Sequence, residues 1–133
     1  MPNFQAPGGT WTRPVVDIWA SEVGKAVRPI TVDATYVDAD ANGDQWVYEG
    51  TTMEVSPMDA DLYKPSDGTG TVLGVAANRA NLRTGDAEIG MVAGGRLFRP
   101  NLIHNGTFGE PAASSQAETD LRARGIYLED VQI

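Results

Sequence analysis

The sequence has 133 residues, with 18 acidic and 10 basic side chains and a formal net charge of −8, and its length predicts one domain. The absence of cysteine excludes disulfide bonds and thiolate chemistry, and a single histidine, His104, excludes metal sites built from several histidines. The sequence contains no run of about 18 apolar residues and no basic-then-apolar leader, so we expect a soluble, unprocessed chain without a membrane partner.

The acidic residues are concentrated in the middle of the sequence. Residues 31–76 carry nine Asp and Glu side chains against Lys64 alone, whereas residues 1–30 have a net charge of +1. An acidic segment of this strength repels phosphate backbones. We therefore expect no nucleic-acid partner, while the slightly basic N-terminal segment is compatible with docking on an acidic surface.

Residues 1–29 are predicted to form an extended N-terminal arm. Four prolines and the Gly8-Gly9 pair interrupt every regular pattern in this segment, yet it holds three large apolar side chains. Burying each of these side chains is worth about 1.5–3 kcal/mol, so we expect the arm to lie along a surface. That surface belongs either to a partner or to the chain's own fold, and both interpretations stay open at this point. The three apolar side chains are Phe4, Trp11 and Trp19.

Residues 30–133 are predicted to form a single β-rich domain that begins with a hairpin. Apolar residues alternate over residues 30–36, which is typical of a half-buried strand. The Asn42-Gly43 dipeptide favours a tight turn, and a second strand is predicted over residues 45–49.

Three further strands are predicted after a polar excursion. Residues 72–77 form a short apolar run typical of a buried strand, with Gly74 where another backbone approaches closely. Residues 87–93 alternate between apolar and polar side chains, and Gly94-Gly95 is predicted to turn the chain into a strand over residues 96–99. The pattern indicates consecutive strands of a mainly antiparallel fold.

One helix is predicted, near the C terminus. Ser115 and Glu118 have the spacing of a capping box, in which each side chain satisfies a free N–H of the first turn. Gly125 is predicted to end the helix in a left-handed conformation. A closing strand is predicted over residues 126–133.

Residues 38–49 match the spacing of a calcium-binding loop. Asp38, Asp40, Asn42, Gly43 and Glu49 stand at the positions that supply oxygen ligands and the glycine turn. The flanking segments are predicted strands rather than the helices that such a loop requires. A solvated hairpin turn is therefore the preferred interpretation, and ion binding remains an alternative.

Signals for catalysis are weak. Ser114, Ser115 and Asp120 follow His104 in the sequence, but neither serine has the glycine spacing of a nucleophile elbow. The glycine-rich motifs that cradle phosphates are absent. We expect no catalytic residue, no metal and no cofactor, and hence a protein that is not an enzyme.

The order of features over residues 36–102 resembles the lambda-like phage head decoration, or capsid cement, protein family. An acidic turn leads into an aromatic and aliphatic strand and an acid-Gly-Thr-Thr sequence. After an excursion come a small-apolar strand and a glycine-led strand, and the C-terminal region resembles the family's closing helix, glycine and strand. The segments that carry the resemblance are 45–48, 49–52, 72–77, 95–98 and 121–128.

The resemblance implies a small antiparallel β barrel or β-clip-like fold with one short C-terminal helix. It also implies a homotrimer on the outer surface of the virion head, at three-fold and quasi-three-fold positions, that binds the major capsid protein and stabilises the expanded shell. In such proteins the N-terminal arm orders against the capsid protein, often by adding a strand to it. The glycine-rich strands and the C-terminal segment are expected to form the trimer contacts. The expected capsid-binding residues are Phe4, Trp11, Arg13, Trp19 and Lys25.

The alternative interpretation is a small secreted β module. Such a module would bind calcium or carbohydrate through residues 38–49 together with exposed Trp11, Trp19 and Trp46. The two interpretations differ in ion dependence, because a calcium-binding module loses stability when a chelator removes its ion, whereas a cement protein does not.

Overall fold

The structure, a computed structural model, describes residues 5–6, 10–11 and 15–130, and over these residues the fold is mainly β with one short C-terminal helix. This confirms the predicted mainly β class and the short C-terminal helix. The two one-turn 3-10 helices cover Ala34–Tyr36 and Arg99–Asn101. The elements are β1 (Gln5–Ala6), β2 (Thr10–Trp11), β3 (Trp19–Val32), β4 (Trp46–Val47), β5 (Thr52–Val55), β6 (Leu62–Pro65), β7 (Gly74–Ala76), β8 (Ala80–Asn81), β9 (Ala87–Phe98), β10 (Ile103–His104), β11 (Thr107–Phe108), α1 (Gln116–Ala123) and β12 (Ile126–Glu129).

The main sheet has six strands in the order β12-β9-β3-β6-β5-β7, and β7 also pairs with β9. The sheet is mixed: β12 runs parallel to β9 and β3 runs parallel to β6, while its other pairings are antiparallel, as the mainly antiparallel prediction has it. Outside the main sheet, three two-stranded sheets are antiparallel: β1 with β2, β4 with β8, and β10 with β11.

The longest pairing joins β3 and β9. It runs from Trp19 opposite Leu97 to Val32 opposite Ala87, with an irregularity where the chain between Ser21 and Ala26 bulges out of register. Residues 22–29 are exposed, and the strand becomes buried from Ile30 onward. This pairing crosses the predicted boundary between the arm and the domain at residue 29.

Two groups of buried apolar side chains lie on opposite faces of β9. Met91 belongs to the first group, which includes Val32 of β3 and Met53 of β5. Val92 belongs to the second, which packs under α1 and includes Leu121 and Ile126. Because neighbouring strand residues point to opposite faces, β9 contributes to both groups along its central stretch.

The hairpin predicted over residues 30–49 is wrong. The chain leaves β3 at Asp33, whose side chain caps the 3-10 helix by accepting the Thr35 N–H at 3.0 Å. The Gln45 side chain then donates to the carbonyls of Ala34 and Val37 at 2.9 and 2.7 Å. These local bonds use groups that strand pairing would need, and β4 pairs instead with β8.

Two glycine predictions have opposite outcomes. Gly74 lies in β7, and a Cβ atom there would sit 2.7 Å from both Met91 Cγ and the Val92 carbonyl oxygen, so the predicted close approach of another backbone is confirmed. The predicted turn at Gly94-Gly95 is wrong, because β9 continues through both residues. Gly95 has φ +127°, and a Cβ there would meet the Trp19 ring at 2.9 Å, so this glycine makes room for Trp19.

The predicted helix is confirmed over Gln116–Ala123. Ser115 accepts the Glu118 N–H at 3.3 Å, and Gly125 adopts φ +79° after the helix. The Glu118 carboxylate accepts the N–H of Ser114 at 2.9 Å and also pairs with the buried Arg99. Arg99 reaches Asp130 as well, at 2.5 Å, so one guanidinium ties the helix to the segment after β12. No helix in the described part of the chain is long and apolar enough to cross a membrane.

Candidate functional site

The N-terminal segment is attached to the domain over residues 16–19. Ile18 is buried in the group under α1, and its carbonyl accepts the Phe98 N–H at 2.7 Å. The Asn101 side chain donates to the Asp17 carbonyl at 2.7 Å, and the Val16 N–H donates to Glu49 Oε2 at 3.1 Å. Residues 16–18 are therefore bound both to Glu49 and to the end of β9 with the 3-10 helix that follows it.

A buried ion pair stands at this attachment. Arg79 Nε and Nη2 each donate to one oxygen of the Glu49 carboxylate, both at 2.9 Å, and the Arg79 guanidinium lies 4.8 Å from the centre of the Tyr48 ring. Burial raises the pKa of Glu49, but hydrogen bonds from Arg79 and from the Val16 N–H outweigh it, so the pKa lies below its ordinary value. Glu49 is thus a charged acceptor for the incoming chain.

An open apolar groove lies beside the attachment. Its volume is about 240 Å³, and Val15, Val16, Ala77 and Asn78 line it together with the ion pair. Val15 is 80% exposed although it is apolar. Such a groove can accept an apolar side chain next to the point where the chain enters the domain.

The structure describes Trp19 and Lys25 among the predicted capsid-binding residues. Trp19 is half-buried and packs against the protein's own apolar group under α1. Lys25 Nζ lies 4.7 Å from the centre of the Trp19 ring and 3.3 Å from Glu22. Trp19 therefore has a role within the fold, and capsid binding by these two residues stays a prediction.

The other predicted capsid-binding residues stay untested. Phe4 and Arg13 lie outside the described residues, and Trp11 is described only as part of the backbone of β2. The ion pair of Glu49 and Arg79 was missed as an attachment site, because its partners are separated by 30 residues and carry no local signal.

Two residues of the calcium pattern are engaged by other groups of the chain. Asp40 Oδ1 accepts the N–H groups of Asn42 and Asp44 at 2.8 and 3.0 Å and so stabilises its own turn. Glu49, the expected final ligand, is turned toward Arg79. Over residues 15–130 no group of three or more His, Asp or Glu side chains is placed to hold a metal ion.

The aromatic residues after this turn stack on each other. The Trp46 and Tyr48 rings are 5.9 Å apart and inclined by 15°. With Asp38, Asp40 and Asp44 they line a small groove of about 220 Å³. Trp46 is half-buried rather than fully exposed, and Tyr48 also contacts Arg79.

The candidates for nucleophilic catalysis have separate partners. His104 lies in the short strand β10, and its Nδ1 is 2.8 Å from Thr52 Oγ1. Ser115 caps α1, and Asp120 accepts the Val72 N–H at 3.1 Å. Within the described ranges these residues do not form a nucleophile, base and orienting acid in contact.

Comparison with models of known protein families gave no match, and comparison with curated protein sequences gave none at a significant level.

Proposed function

We propose that this protein is a non-enzymatic capsid decoration protein. As a homotrimer it binds the major capsid protein on the outside of an icosahedral phage head, at three-fold and quasi-three-fold positions, and stabilises the expanded shell. The observation that carries the proposal is the attachment over residues 16–19, where a segment with large apolar side chains enters a compact β domain at a fixed point. The order of the sequence motifs supports the same function.

The strand pairings support a barrel-like version of the fold. They lead from β9 through β3, β6, β5 and β7 and return to β9. The apolar group that contains Val32, Met53 and Met91 draws its side chains from these strands. A small, tightly connected body of this kind suits a protein whose function is mechanical.

In the proposed mechanism the arm binds the shell and the domain stays on the outside. Phe4 and Trp11 are the apolar anchors and Arg13 contacts acidic shell surface. The hydrogen bonds that hold residues 16–19 transmit mechanical force from the shell-bound arm to the domain. Because each trimer engages several capsid subunits at once, individually weak contacts add up to a stable attachment.

The acidity of the domain fits an outward-facing position. The segment 31–76 holds most of the net charge of −8. Net charge of one sign keeps crowded surfaces apart and soluble. The acidic segment is therefore assigned to the solvent side of the particle.

The test is co-sedimentation with expanded, undecorated heads of the source phage in the presence of a chelator. We expect saturable pelleting at about one copy per capsid subunit, the stoichiometry of a trimer on each three-fold position. Failure of the full chain to pellet with these heads would contradict the proposed function.

The role of the arm is tested by deletion of residues 1–14. This deletion keeps Val16 and Ile18, which the structure shows bound to the domain, whereas a deletion through residue 24 would remove Ile18 from the core. The shortened protein is expected to keep its thermal unfolding transition and to lose pelleting. The double variant Phe4→Ser with Trp11→Ser removes both apolar anchors and keeps the arm at full length. It therefore tests the role of the anchors separately from the role of arm length. Full occupancy by the shortened protein would show that the arm mechanism is wrong.

A further inference from the structure

Two arginines stand apart from the other cations of the described chain. Nine of the ten Lys and Arg residues lie in residues 15–130, and seven of these nine form ion pairs, whereas Arg28 and Arg124 form none. The paired cations are Lys25, Lys64, Arg79, Arg83, Arg96, Arg99 and Arg122.

Both of these arginines line one groove. The groove has a volume of about 410 Å³ and runs past β3, β9 and the end of α1. We call it the arginine groove, and its lining residues are Arg28, Tyr63, Leu73, Met91, Ala93 and Arg124. Arg28 donates to the Tyr63 hydroxyl and lies 5.6 Å from the centre of that ring, so its position is held without neutralising its charge.

The chemistry of the arginine groove defines what it can bind. Leu73, Met91 and Ala93 provide an apolar floor in the groove that the two arginines also line. In a protein with a net charge of −8, two cations without acidic partners favour a ligand that carries carboxylates beside an apolar side chain.

The same chain exposes a segment with that chemistry. The turn between β5 and β6, residues 57–61, is called the acidic tip here. Met58 at this tip is 80% exposed, and Asp59 and Asp61 follow it in the sequence without an ion pair among the described residues. The Asp59 side chain accepts the Asp61 N–H at 2.9 Å, so the tip has a defined shape before any contact.

The acidic tip lies beside the arginine groove of its own chain but does not line it. Asp61 and Glu88 line a second groove of about 350 Å³ that shares Arg28 and Tyr63 with the arginine groove. Neither carboxylate pairs with Arg28, although both lie on the same side of the molecule. A cationic and an acidic surface therefore lie side by side, and each is complementary to the other on a neighbouring copy.

We infer that the acidic tip of one copy docks in the arginine groove of a second copy. Met58 lies on the apolar floor, and Asp59 and Asp61 face Arg28 and Arg124. The inference rests on the proposed function in one respect, because it assigns a surface to the homotrimer proposed above. A contact between two different surfaces closes into a ring when the rotation between copies allows it.

The experiment measures the mass of the full chain by sedimentation velocity from micromolar to submillimolar concentration. The wild type is expected to self-associate. The variant Arg28→Glu with Arg124→Glu is expected to weaken association by at least about thirtyfold, as loss of close charge pairs at an interface does. Asp59→Arg with Asp61→Arg is expected to weaken it similarly, which gives an independent variant at the other surface.

Two controls make the result specific. Arg83→Glu with Arg122→Glu changes the net charge by the same amount at exposed arginines outside the groove, and it is expected to associate like the wild type. The variant that combines Arg28→Glu, Arg124→Glu, Asp59→Arg and Asp61→Arg exchanges the charges of the two surfaces. Because the surfaces are again complementary, this variant is expected to restore association. Unchanged thermal unfolding verifies that each variant is folded.

Several results would overturn the inference. These are a monomeric wild type, unchanged association of the groove variant, an equal loss in the charge-matched control, or no recovery in the fourfold exchange. The proposed function fails separately, in the co-sedimentation experiment. A monomeric protein that still decorates heads would overturn only the inference that the tip docks in the groove. A protein that self-associates but never pellets with heads would overturn only the proposed function.

Discussion

Glu49 and Arg79 form a bidentate ion pair, in which Arg79 Nε and Nη2 each lie 2.9 Å from one carboxylate oxygen of Glu49. The same carboxylate accepts the N–H of Val16. The side chains are 6% and 19% exposed. The pair thus joins the incoming N-terminal chain to the loop before β8. A single buried charge pair connects the stability of the domain to the position of its arm.

Removing Arg79 is expected to destabilise the protein strongly. Arg79→Met leaves the buried Glu49 carboxylate without its cation, and breaking a buried pair in this way costs about 3 kcal/mol or more. The matched variant Arg83→Met breaks the exposed pair with Asp44 and is expected to cost less than about 1 kcal/mol. Urea unfolding measures both changes, and equal losses in the two variants would contradict the assigned role.

Gly74→Ala is expected to destabilise the fold through steric overlap. The added methyl group would lie 2.7 Å from Met91 Cγ and from the Val92 carbonyl, and overpacking of this kind costs about 1–3 kcal/mol. Gly94→Ala is the control, because its methyl group would meet no atom closer than 3.5 Å. Thermal unfolding of both variants compares them, and a neutral Gly74→Ala would mean that β7 and β9 are not so closely packed.

Stability is expected to fall in acid. Burial raises the pKa of Glu49, but its hydrogen bonds lower the pKa by a larger amount. The Ser114 N–H and Arg99 hold the pKa of Glu118 below 4.5. Groups with a lowered folded-state pKa contribute stability above their unfolded pKa and lose it as the pH falls through the folded value. The thermal midpoint should therefore stay level between about pH 6 and pH 8 and drop below about pH 4.5.

The behaviour in base has the opposite sign. Burial lowers the pKa of Lys64, but its hydrogen bonds and ion pairs with Glu54 and Asp67 together outweigh burial and raise the pKa above 10.5. Its contribution to stability is therefore complete below that value and is lost only in strong base. A thermal midpoint that fell between neutral pH and about pH 9 would contradict this assignment.

Calcium is expected to leave the protein unchanged. Glu49 is occupied by Arg79, and Asp40 stabilises its own turn, so the residues of the calcium pattern offer no common site. Titration calorimetry at millimolar calcium should give no heat, and a chelator should not shift thermal unfolding. Binding heat that disappears in Asp38→Asn with Asp40→Asn would instead favour the calcium-binding alternative.

Signals within a few residues of each other predicted local structure correctly. Ser115 caps α1, Gly125 follows its end with a positive φ, and Gly74 lies where backbones approach closely. Each of these positions depends on the backbone geometry of one turn or one strand. Such requirements are visible in the sequence because few residue types satisfy them.

Predictions that depended on pairing partners were less accurate. The segments at residues 30–36 and 45–49 each have the alternation of a strand, but alternation does not identify the strand beside it. The Gln45 side chain bonds the carbonyls of Ala34 and Val37, and β4 pairs with β8. Gly94-Gly95 has the composition of a turn, yet it lies within β9, where Gly95 makes space for Trp19.

The sequence alone was sufficient for the mainly β class, the C-terminal helix α1, the acidic middle segment and the chemically distinct N-terminal segment. These properties depend on composition and on short-range periodicity. The attachment at Glu49 and Arg79 and the gathering of Arg28 and Arg124 at one groove required the folded chain. Charges separated by 30 or more residues meet only after β3, β7 and β9 have packed together, because burial and geometry, not sequence spacing, select which groups come into contact.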